Sequence, residues 1–588
     1  MIEKFRLSAP SRRLFKYFKP YWYWLVFGVL CVLLTNLVKL TGPWILGHAI
    51  DDLLSGVTRA KLLQQGGLLV LIALAQGLFF FWQRRIFTIV SRKIESDLRK
   101  DYYAHLQKLP SLDKNHSFRT GDLMARGTND LTAVRMIGDT ALMSIMDVIF
   151  VIALVVPMMG AINWRLTILS LFTLPLVIVA TKFLSKRIHE RAVEVQEQYG
   201  AVSSRAQDSL AGVRVVRAYA QEQSEVESFT RVNGEFVKSN LGLIRLTMLM
   251  TPILQFLMGF GFIAVFWYGG SLILGGEITI GQYVQFKIYL GFLIVPVVMF
   301  GWMISVFQKG IASMGRIHNV LETEPAIDDA EQNASVRNIV GDIEFRNLTF
   351  SYKGASQPTL KNLNLHIKAG QTVAFVGAVG SGKSTLVNLV PRLLDAAPGQ
   401  VLIDGHPIDE IPLKVLRTSV GYVPQETFLF SESIADNVSF GAENASSEQI
   451  RRAATEAGVA DDIEGFPRKY ETLVGERGVM LSGGQKQRTA IARALVTAPQ
   501  ILILDDALSA VDTYTERTVL SHLRRGNHGR TCLIVSHRVS TVRNADLIVV
   551  LEGNQIAERG THSELITRGG LYAALHDKQL LEEELETT

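Results

Sequence analysis

The residues with the clearest chemistry lie in the stretch GAVGSGKST, from Gly377 to Thr385. It fills every fixed position of the pattern G-x-x-x-x-G-K-[ST]. The apolar run Thr372–Val376 before it predicts a strand, and Leu386–Leu394 after it predicts a helix. A glycine-rich loop between a strand and a helix N-terminus is where this pattern binds the phosphates of a nucleoside triphosphate. We therefore predict a nucleotide site at Gly377, Ala378, Val379, Gly380, Ser381, Gly382, Lys383, Ser384 and Thr385.

Different residue types divide the work at such a site. Gly380 and Gly382 permit backbone conformations that direct N–H groups at phosphate oxygens. The Lys383 ammonium brings a point charge to the β- and γ-phosphates, and the Ser384 hydroxyl is a ligand for Mg²⁺. A second Mg²⁺ ligand is predicted at Asp505, because it ends a buried-strand pattern that starts at Ile501. ATP and Mg²⁺ are the predicted cofactors.

Long apolar segments occupy the half of the chain that precedes this site. Of the 588 residues, 48% are hydrophobic. In the N-terminal half, hydrophobic residues form six runs of about 20 residues, long enough to cross a hydrocarbon core. Buried helices of a large soluble domain would explain one such run but not six. We predict six membrane spans near Trp22–Ile50, Gly66–Trp82, Ala141–Ile162, Leu166–Leu184, Ile253–Leu274 and Tyr283–Phe307.

The positions of Lys and Arg predict the orientation of these spans. The N-terminal tail and the hydrophilic segments Gln83–Thr140 and Lys186–Arg245 are rich in both residues, whereas the short connections between the other spans carry few or none. Basic segments stay on the cytoplasmic side of an inner or plasma membrane, so both termini and the nucleotide site are predicted to be cytoplasmic. The net charge of +5 follows from these segments and needs no nucleic-acid partner.

Strand and helix patterns alternate in the second half, as in an α/β domain. The strand patterns include Ile343–Phe350, Val401–Ile403 and Thr531–Val535. The predicted fold class is a membrane all-α six-helix transmembrane domain followed by a cytoplasmic α/β P-loop ATPase domain. The predicted bounds are 1–321 for the transmembrane domain, 322–341 for a linker and 342–588 for the ATPase domain.

Polar side chains inside the predicted spans need a reason, because lipid solvates them poorly. They either line a substrate cavity, or they snorkel to the interface and pair between helices. The candidates are Asn36, Lys39, Asp147, Gln255, Gln285 and Lys287.

Two stretches of the cytoplasmic segments, Phe118–Leu131 and Gly212–Gln223, are candidates to dock on the ATPase domain. The first contains Gly121 and a predicted polar turn, and solvated loops are the alternative for both. The two cysteines, Cys31 and Cys532, are expected to be buried apolar side chains, since two cysteines form no disulfide framework or zinc site of their own.

The stretch Leu481–Gln485, LSGGQ, lies between the glycine-rich loop and Asp505. With it the chain resembles the ABC transporter superfamily, and the other matching residues follow in that family's order: Tyr352, Gln425, the segment Ser509–Asp512 (SAVD) and His537. Six spans ahead of one ATPase domain resemble an exporter half-transporter of the type IV fold. The resemblance covers nearly the whole chain.

The resemblance implies a role for each matching residue. Tyr352 would stack on adenine, Gln425 would sense Mg²⁺ and the attacking water, and His537 would contact the γ-phosphate. A Ser-Gly-Gly turn at a helix N-terminus offers N–H groups to an anion. In this family that anion is the γ-phosphate of ATP held by a second subunit, which implies a dimer that closes on ATP and opens after hydrolysis. The implied signature residues are Ser482, Gly483, Gly484 and Gln485.

One position departs from the family pattern. The family usually has a glutamate after the Mg²⁺-binding aspartate to polarise the attacking water, and this chain has Asp506. Aspartate is one methylene shorter, and a displacement of about 1 Å at a reacting centre can cost on the order of 10²-fold in rate. We predict a degenerate site and a heterodimer, whose second half-transporter subunit supplies the glutamate. The alternative is a homodimer in which Asp506 is an adequate base.

The expected function is ATP-driven export of a small hydrophobic or amphipathic compound, of the drug or lipid class, from a membrane whose lipids surround the spans. The alternatives are a homodimeric lipid flippase or peptide exporter, and an ATP-gated channel or sensor. A soluble ATPase that acts on nucleic acid or ribosomes does not fit six spans.

Overall fold

The computed structural model describes residues 9–109, 120–325, 327–329, 336–442, 444–475, 481–525 and 529–587. The chain divides into two compact units, Met1–Gln107 with Arg119–Thr323, and Lys108–Phe118 with Glu324–Thr588. The first unit is helical, and the second contains two β-sheets. The bounds predicted for the linker stay a prediction, because residues 326 and 330–335 lie outside the described ones.

Long helices make up the first unit. α10 has 53 residues, which is about 80 Å at 1.5 Å per residue, against a hydrocarbon core of about 30 Å. The helices therefore continue well past the apolar runs, as predicted. Their bounds are α1 Ala9–Phe18, α2 Trp22–Ser55, α3 Arg59–Leu106, α4 Thr120–Ala125, α5 Leu131–Met136, α6 Leu142–Ile162, α7 Trp164–Leu171, α8 Thr173–Ala211, α9 Val213–Ala218, α10 Glu222–Leu274 and α11 Ile280–Leu321.

The described helices account for five of the six predicted membrane spans. Five stretches of the described helices are long and apolar enough to cross a membrane: Ala9–Ser55, Arg59–Leu106, Thr120–Ile162, Trp164–Ala211 and Glu222–Leu274. The sixth predicted span falls within α11, which is one continuous helix with Pro296 inside it but is not among these five. A count of six spans therefore stays a prediction.

The polar turn predicted within Phe118–Leu131 is wrong for its described residues, Thr120–Leu131. They form α4, a π-helical turn at Arg126–Asp130 and the start of α5. Leu123 and Leu131 are buried, and Asp130 accepts hydrogen bonds from Ser313 and Arg316 of α11. Packing against neighbouring helices within the first unit therefore keeps this stretch helical. Phe118 and Arg119 lie outside the described residues.

The second candidate docking stretch does contain a short helix, α9. None of the residues of α9 is buried, and Val215 and the following Tyr219 are 61% and 74% exposed. The apolar tip between α8 and α10 is thus uncovered in the single chain. Docking of this tip on the ATPase domain stays a prediction.

Some of the polar side chains in the predicted spans join helices. The Asn36 amide of α2 donates to the Asp147 carboxylate of α6 at 2.9 Å. The Tyr289 hydroxyl of α11 donates to the Leu40 carbonyl of α2 at 2.9 Å, and accepts from the Gln285 amide at 3.2 Å. For Asn36 and Asp147 the structure favours pairing between helices over a substrate cavity. Gln285 bonds within α11 and also lines a cavity of about 380 Å³, so both alternatives stay open for it.

Two sheets form the centre of the second unit. One has the order β2-β1-β4-β5, and the other has the order β10-β9-β3-β8-β7-β6, with parallel pairing from β9 through to β6. The strands are β1 Ile343–Phe350, β2 Leu360–Ile367, β3 Thr372–Gly377, β4 Val401–Ile403, β5 His406–Pro407, β6 Val420–Val423, β7 Ile501–Asp505, β8 Thr531–Val535, β9 Leu547–Glu552 and β10 Gln555–Gly560.

The six-stranded sheet is covered by helices, so its central strands are buried on both faces. Every residue of β7 and β8 is buried, which explains why their sequences are continuous apolar runs. Burial raises the pKa of the Cys532 thiol in β8 to about 12, and Cys31 in α2 is buried as well. Both cysteines are thus buried apolar side chains, as predicted.

The helices of the second unit are short by comparison. The helix predicted at Leu386–Leu394 is α12, which begins three residues earlier and ends at Leu389, because Pro391 has no N–H to continue it. The described helices are α12 Lys383–Leu389, α13 Leu413–Ser419, α14 Ile434–Ser439, α15 Ser447–Glu456, α16 Ala460–Glu464, α17 Gly483–Leu495, α18 Thr513–Arg525, α19 Val539–Val542, α20 His562–Arg568 and α21 Leu571–Thr587.

Close helix packing at Gly310 gives a test of the first unit. A Cβ at Gly310 of α11 would lie 2.9 Å from the Ala133 carbonyl oxygen and against the Ile137 side chain. We expect Gly310→Val to lower the midpoint of thermal unfolding in detergent, because overpacking costs about 1–3 kcal/mol. Gly301→Val on the same helix is the matched control, since nothing lies within 4 Å of a Cβ there. Equal midpoints for the two variants would contradict this packing.

Candidate functional site

The parallel strands of the second unit bring the predicted site residues to one edge of the sheet. β3 leads into the glycine-rich loop, β7 ends at Asp505, and Gln425 and His537 follow β6 and β8 by two residues each. Carboxyl ends of parallel strands meet at the same edge, which is where open α/β sheets bind ligands. The four loops therefore converge although they are up to 160 residues apart in sequence, from Gly377 to His537.

A cleft of about 320 Å³ lies at this edge. Most of the residues predicted to bind ATP or Mg²⁺ line it, and Thr359 and Val535 line it without having been predicted, because neither carries a motif. The lining residues are Tyr352, Thr359, Val379, Gly380, Gly382, Lys383, Ser384, Thr385, Gln425, Asp505, Asp506, Val535 and His537.

The glycine-rich loop adopts a conformation that requires glycine at Gly380 and Gly382. Their φ angles are +84° and +93°, in the left-handed region. A Cβ at Gly382 would also lie 2.8 Å from the Thr359 carbonyl oxygen. Gly382 is the N-cap residue of α12, so the free N–H groups of the first turn of α12 point toward the cleft.

Lys383 is held under the loop. Its ammonium donates to the carbonyl oxygens of Gly377 and Ala378 at 2.9 and 2.8 Å, and the Ser381 hydroxyl lies 3.4 Å away. Burial lowers the pKa of Lys383, and the carboxylates of Asp505 and Asp506 act in the opposite direction. Gly377, Ala378 and Ser381 do not line the cleft. They position the cation instead.

The Mg²⁺ ligands predicted from the sequence lie side by side. The Ser384 hydroxyl donates to the Asp505 carboxylate at 2.9 Å, and Asp505 is only 2% exposed. Burial raises the pKa of Asp505, the Ser384 hydrogen bond lowers it, and Asp506 raises it. A hydroxyl and a carboxylate at this separation are hard oxygen donors of the kind Mg²⁺ takes together with substrate phosphates. The residues therefore fit a Mg²⁺ ion, which remains a prediction.

Asp506 and His537 stand next to these ligands. Asp506 has a φ of +49°, and its backbone N–H donates to the Val535 carbonyl at 2.9 Å, which fixes the start of its side chain. Burial raises the pKa of Asp506, against the effects of His537, Arg538 and Lys383. Burial lowers the pKa of His537, as does Lys383. A base must be ionised, so any hydrolysis that uses Asp506 declines as the pH falls through its raised pKa.

Tyr352 and Gln425 are on opposite sides of the phosphate loop in sequence and share the cleft. The Tyr352 hydroxyl lies 3.1 Å from the Thr385 hydroxyl, and its ring packs edge-on against Phe350. Gln425 is exposed in the cleft. An aromatic ring beside the loop is available for a base to stack on, and the Gln425 amide is free to reach the ligand.

The signature residues do not line this cleft. The Ser482 hydroxyl caps α17 by accepting a hydrogen bond from the Gln485 N–H. The side-chain oxygen of Gln485 accepts one from the Ser482 N–H, which completes a capping box. Ser482 and Gly483 are exposed, while the Gln485 amide is anchored on Asp462 at 2.9 Å. The first turn of α17 thus presents N–H groups and a hydroxyl away from the nucleotide cleft of its own chain.

The segment Ser509–Asp512 connects the signature helix to the cleft. Gln487 of α17 is buried, donates to the Ser509 hydroxyl at 3.1 Å and accepts from the Ala510 N–H at 2.9 Å. Arg538, next to His537, donates to the Ser509 carbonyl at 2.9 Å. Gln487 and Arg538 are functional candidates that the sequence analysis missed. The sequence feature that could have identified them is their position next to LSGGQ and His537.

Fold and site together define a membrane-embedded, nucleotide-dependent transporter. Residues 25–297 match the family model of the ABC transporter transmembrane region, and residues 360–509 match the family model described as ABC transporter.

Relatives match over the whole chain. A probable multidrug resistance ABC transporter ATP-binding/permease protein, YheI of Bacillus subtilis, is 37% identical with 98% of each chain covered. An ATP-dependent lipid A-core flippase of Syntrophus aciditrophicus is 35% identical, with 98% of this chain and 95% of that protein covered. The structure of a bacterial Atm1-family ABC exporter with ATP bound matches with a TM-score of 0.78 and 28% identity, covering 95% of this chain and 98% of that one.

The chain belongs to the ABC transporter family. It is an integral membrane protein of the exporter type, with an all-α membrane domain followed by an ATPase domain that binds ATP and couples its hydrolysis to transport. This confirms the predicted activity and the predicted fold class apart from the number of spans. The roles of the individual site residues stay predictions.

The position of Lys383 gives a direct test of the ATP site. We expect Lys383→Ala to weaken binding of a fluorescent ATP analogue at least about tenfold, because the ammonium makes charge-assisted bonds to phosphate. The measurement is a titration of the detergent-purified protein. Lys368→Ala, at an exposed position outside the cleft, should bind as the wild type does. Unchanged binding in Lys383→Ala would contradict the assignment of the cleft.

Proposed function

We propose that the chain is one half of a dimeric exporter for a small hydrophobic or amphipathic compound, and that its partner is a different half-transporter. The observation that carries the proposal is the signature turn at Ser482 and Gly483, which is exposed and lies outside the cleft of its own chain. A helix N-terminus that presents N–H groups to solvent is suited to an anion brought by another molecule. The γ-phosphate of ATP on a second subunit is that anion.

The arm formed by α8 and α10 supports a dimer as well. None of residues 182–253 is buried, although this arm carries many apolar side chains that are 39% or more exposed, among them Val215, Tyr219, Leu241 and Met248. Isolated proteins rarely expose apolar surface on this scale, and such surface marks a contact with protein or membrane. A second subunit would cover this apolar surface, and the exposed signature turn needs a second subunit as well.

Asp506 is the reason for proposing a different partner. Its backbone is held by the Val535 carbonyl, so the side chain has little freedom to move toward the γ-phosphate and make up for the missing methylene. A carboxylate that stops about 1 Å short orients water poorly. The intact signature of this chain would then serve a partner's site that has a glutamate at this position.

The chain's own residues divide the steps of ATP use between them. The loop N–H groups and Lys383 would bind the phosphates, and Ser384 and Asp505 would hold Mg²⁺. Gln425 would sense Mg²⁺ and the attacking water, and His537 would contact the γ-phosphate. Mg²⁺ would neutralise charge that develops on the phosphate oxygens. The Ser509–Asp512 segment then links the state of this cleft to the signature helix that completes the partner's cleft.

The substrate class follows from the relatives and the spans. The Bacillus subtilis relative is described as a multidrug resistance transporter, and the Syntrophus relative as a lipid A-core flippase. Compounds of both kinds partition into membranes. We place both termini and the ATPase domain in the cytoplasm, on the basis of the basic segments. An ion channel gated by ATP is the competing function, and ion conductance in reconstituted vesicles would favour it.

Mutations can distinguish the proposed role of the signature turn from that of Asp506. We expect Gly483→Asp to reduce ATP turnover of the assembled transporter on the order of 10²-fold, because a carboxylate there repels the partner's γ-phosphate. A Cβ at Gly483 meets only the Ala510 Cβ at 3.4 Å, so the chain itself tolerates the change. Asp506→Asn should have a much smaller effect. If both variants stopped turnover equally in a phosphate-release assay, Asp506 would be the main base.

Asp506→Glu tests the missing methylene in the chain purified alone. We expect slow ATP hydrolysis from the wild type and a gain of about tenfold to a hundredfold from the glutamate, which reaches the water. The measurement is steady-state phosphate release in nanodiscs with saturating Mg²⁺.

Two differently tagged copies of the chain, expressed together, provide the control for dimer content. Cross-linking must show equal self-association of wild type and variant. Wild-type turnover of about 1 s⁻¹ or more, with no gain from Asp506→Glu, would show a competent homodimer and end the case for a different partner.

A further inference from the structure

Lys287 is one of the basic side chains of the predicted spans, and it lines an apolar groove. It lies two helical turns into α11, is exposed, and makes no hydrogen bond or ion pair with any residue in the described part of the chain. Lys39 of α2, by contrast, places its ammonium 4.4 Å from the centroid of the Phe292 ring. An ionised side chain at membrane depth is costly, and an unpaired one points to function.

The Lys287 ammonium faces a groove between α10 and α11. The groove has a volume of about 430 Å³, within the range of small-molecule sites. Lys287 is its only charged lining residue among those described. The other lining residues are Phe262, Ile263, Val265, Phe266 and Tyr283.

Tyr283 adds a second polar group to the groove. It precedes Lys287 by four residues, so both side chains lie on one face of α11. The Tyr283 ring is held against α10, where a Cβ at Gly269 would come within 2.9 Å of it. Its hydroxyl makes no hydrogen bond within the described residues. Two donors without partners, one helical turn apart, therefore border an otherwise apolar surface.

We propose that this groove binds an amphipathic anion, a single apolar chain that ends in a carboxylate or phosphate and enters from the bilayer. The anionic head pairs with the Lys287 ammonium and accepts from the Tyr283 hydroxyl. The apolar tail of the ligand lies against Phe262, Ile263 and Phe266. Ile263 and Phe266 are 62% and 72% exposed without it. This proposal rests on the proposed function, because it names a substrate class for the exporter.

Charge complementarity decides between occupants. A neutral lipid chain would cover the apolar wall but leave the ammonium unpaired in a poorly solvating environment. A cationic amphiphile would be repelled by Lys287, and the groove has no carboxylate to attract it. An anion satisfies both the charge and the two donors.

Equilibrium binding to the full-length protein tests the proposal. The probe is cis-parinaric acid, a fluorescent long-chain carboxylate, titrated at pH 8 without ATP into nanodiscs of zwitterionic phosphatidylcholine. Hexadecyltrimethylammonium is the matched cation. We expect the wild type to prefer the carboxylate, Lys287→Met to lose at least about tenfold in affinity for it, and Lys287→Arg to keep it. Lys287→Glu should reverse the preference.

Lys39→Met is the matched control, because it removes an ammonium from a span without touching the groove, and it should bind as the wild type does. Thermal unfolding of each variant reports whether it is folded. Equal carboxylate binding in Lys287→Met would overturn the proposal. So would cross-linking of Phe266→Cys to a second subunit without bound probe, since the groove would then be a subunit contact. No step requires ATP, so a failure of export would leave this measurement valid.

Discussion

The parallel pairing of β3, β8, β7 and β6 is the constraint on which the site depends. These strands are buried, so their backbone hydrogen bonds have no competition from water and hold one register. The register places Phe375, Asp505 and Val535 on adjacent strands at the same level. Most residues that line the cleft lie in the loops that leave this edge, whereas Tyr352 and Thr359 come from the connection between β1 and β2 of the other sheet. Burying charged groups at this edge disfavours their ionised forms. Burial lowers the pKa of Lys383 and raises that of Asp505.

The ATPase unit holds its signature turn outside its own nucleotide cleft. Its signature helix is anchored through Gln485 to Asp462 and through Gln487 to Ser509 and Ala510, while the first turn stays open to solvent. The same segment follows directly after Asp506. Direct hydrogen bonds therefore join the segment after Asp506 to the signature helix.

In the membrane unit, some polar side chains have a hydrogen-bond partner among the described residues and others do not. Asn36 and Asp147 satisfy each other across two helices, and the Tyr289 hydroxyl finds a backbone carbonyl. Such pairs hold helices in register where the hydrophobic effect does not discriminate between apolar surfaces. Lys287 has no such partner in the described chain, and it is this contrast within one helix bundle that marks it.

The sequence by itself determined the two-part architecture, the glycine-rich loop, the strands that carry the site and the helix that starts after Ser482, because each depends on local spacing and apolar runs. The same reading placed a turn within Phe118–Leu131 and extended the helix after the loop past Pro391. Only the tertiary structure showed that the described part of that stretch stays helical by packing against α11, and that the signature turn lies outside its own cleft. It also showed that Lys287 has no partner among the described residues, while Lys39 lies over the Phe292 ring. Those outcomes depend on contacts between residues far apart in the chain, which no local pattern contains.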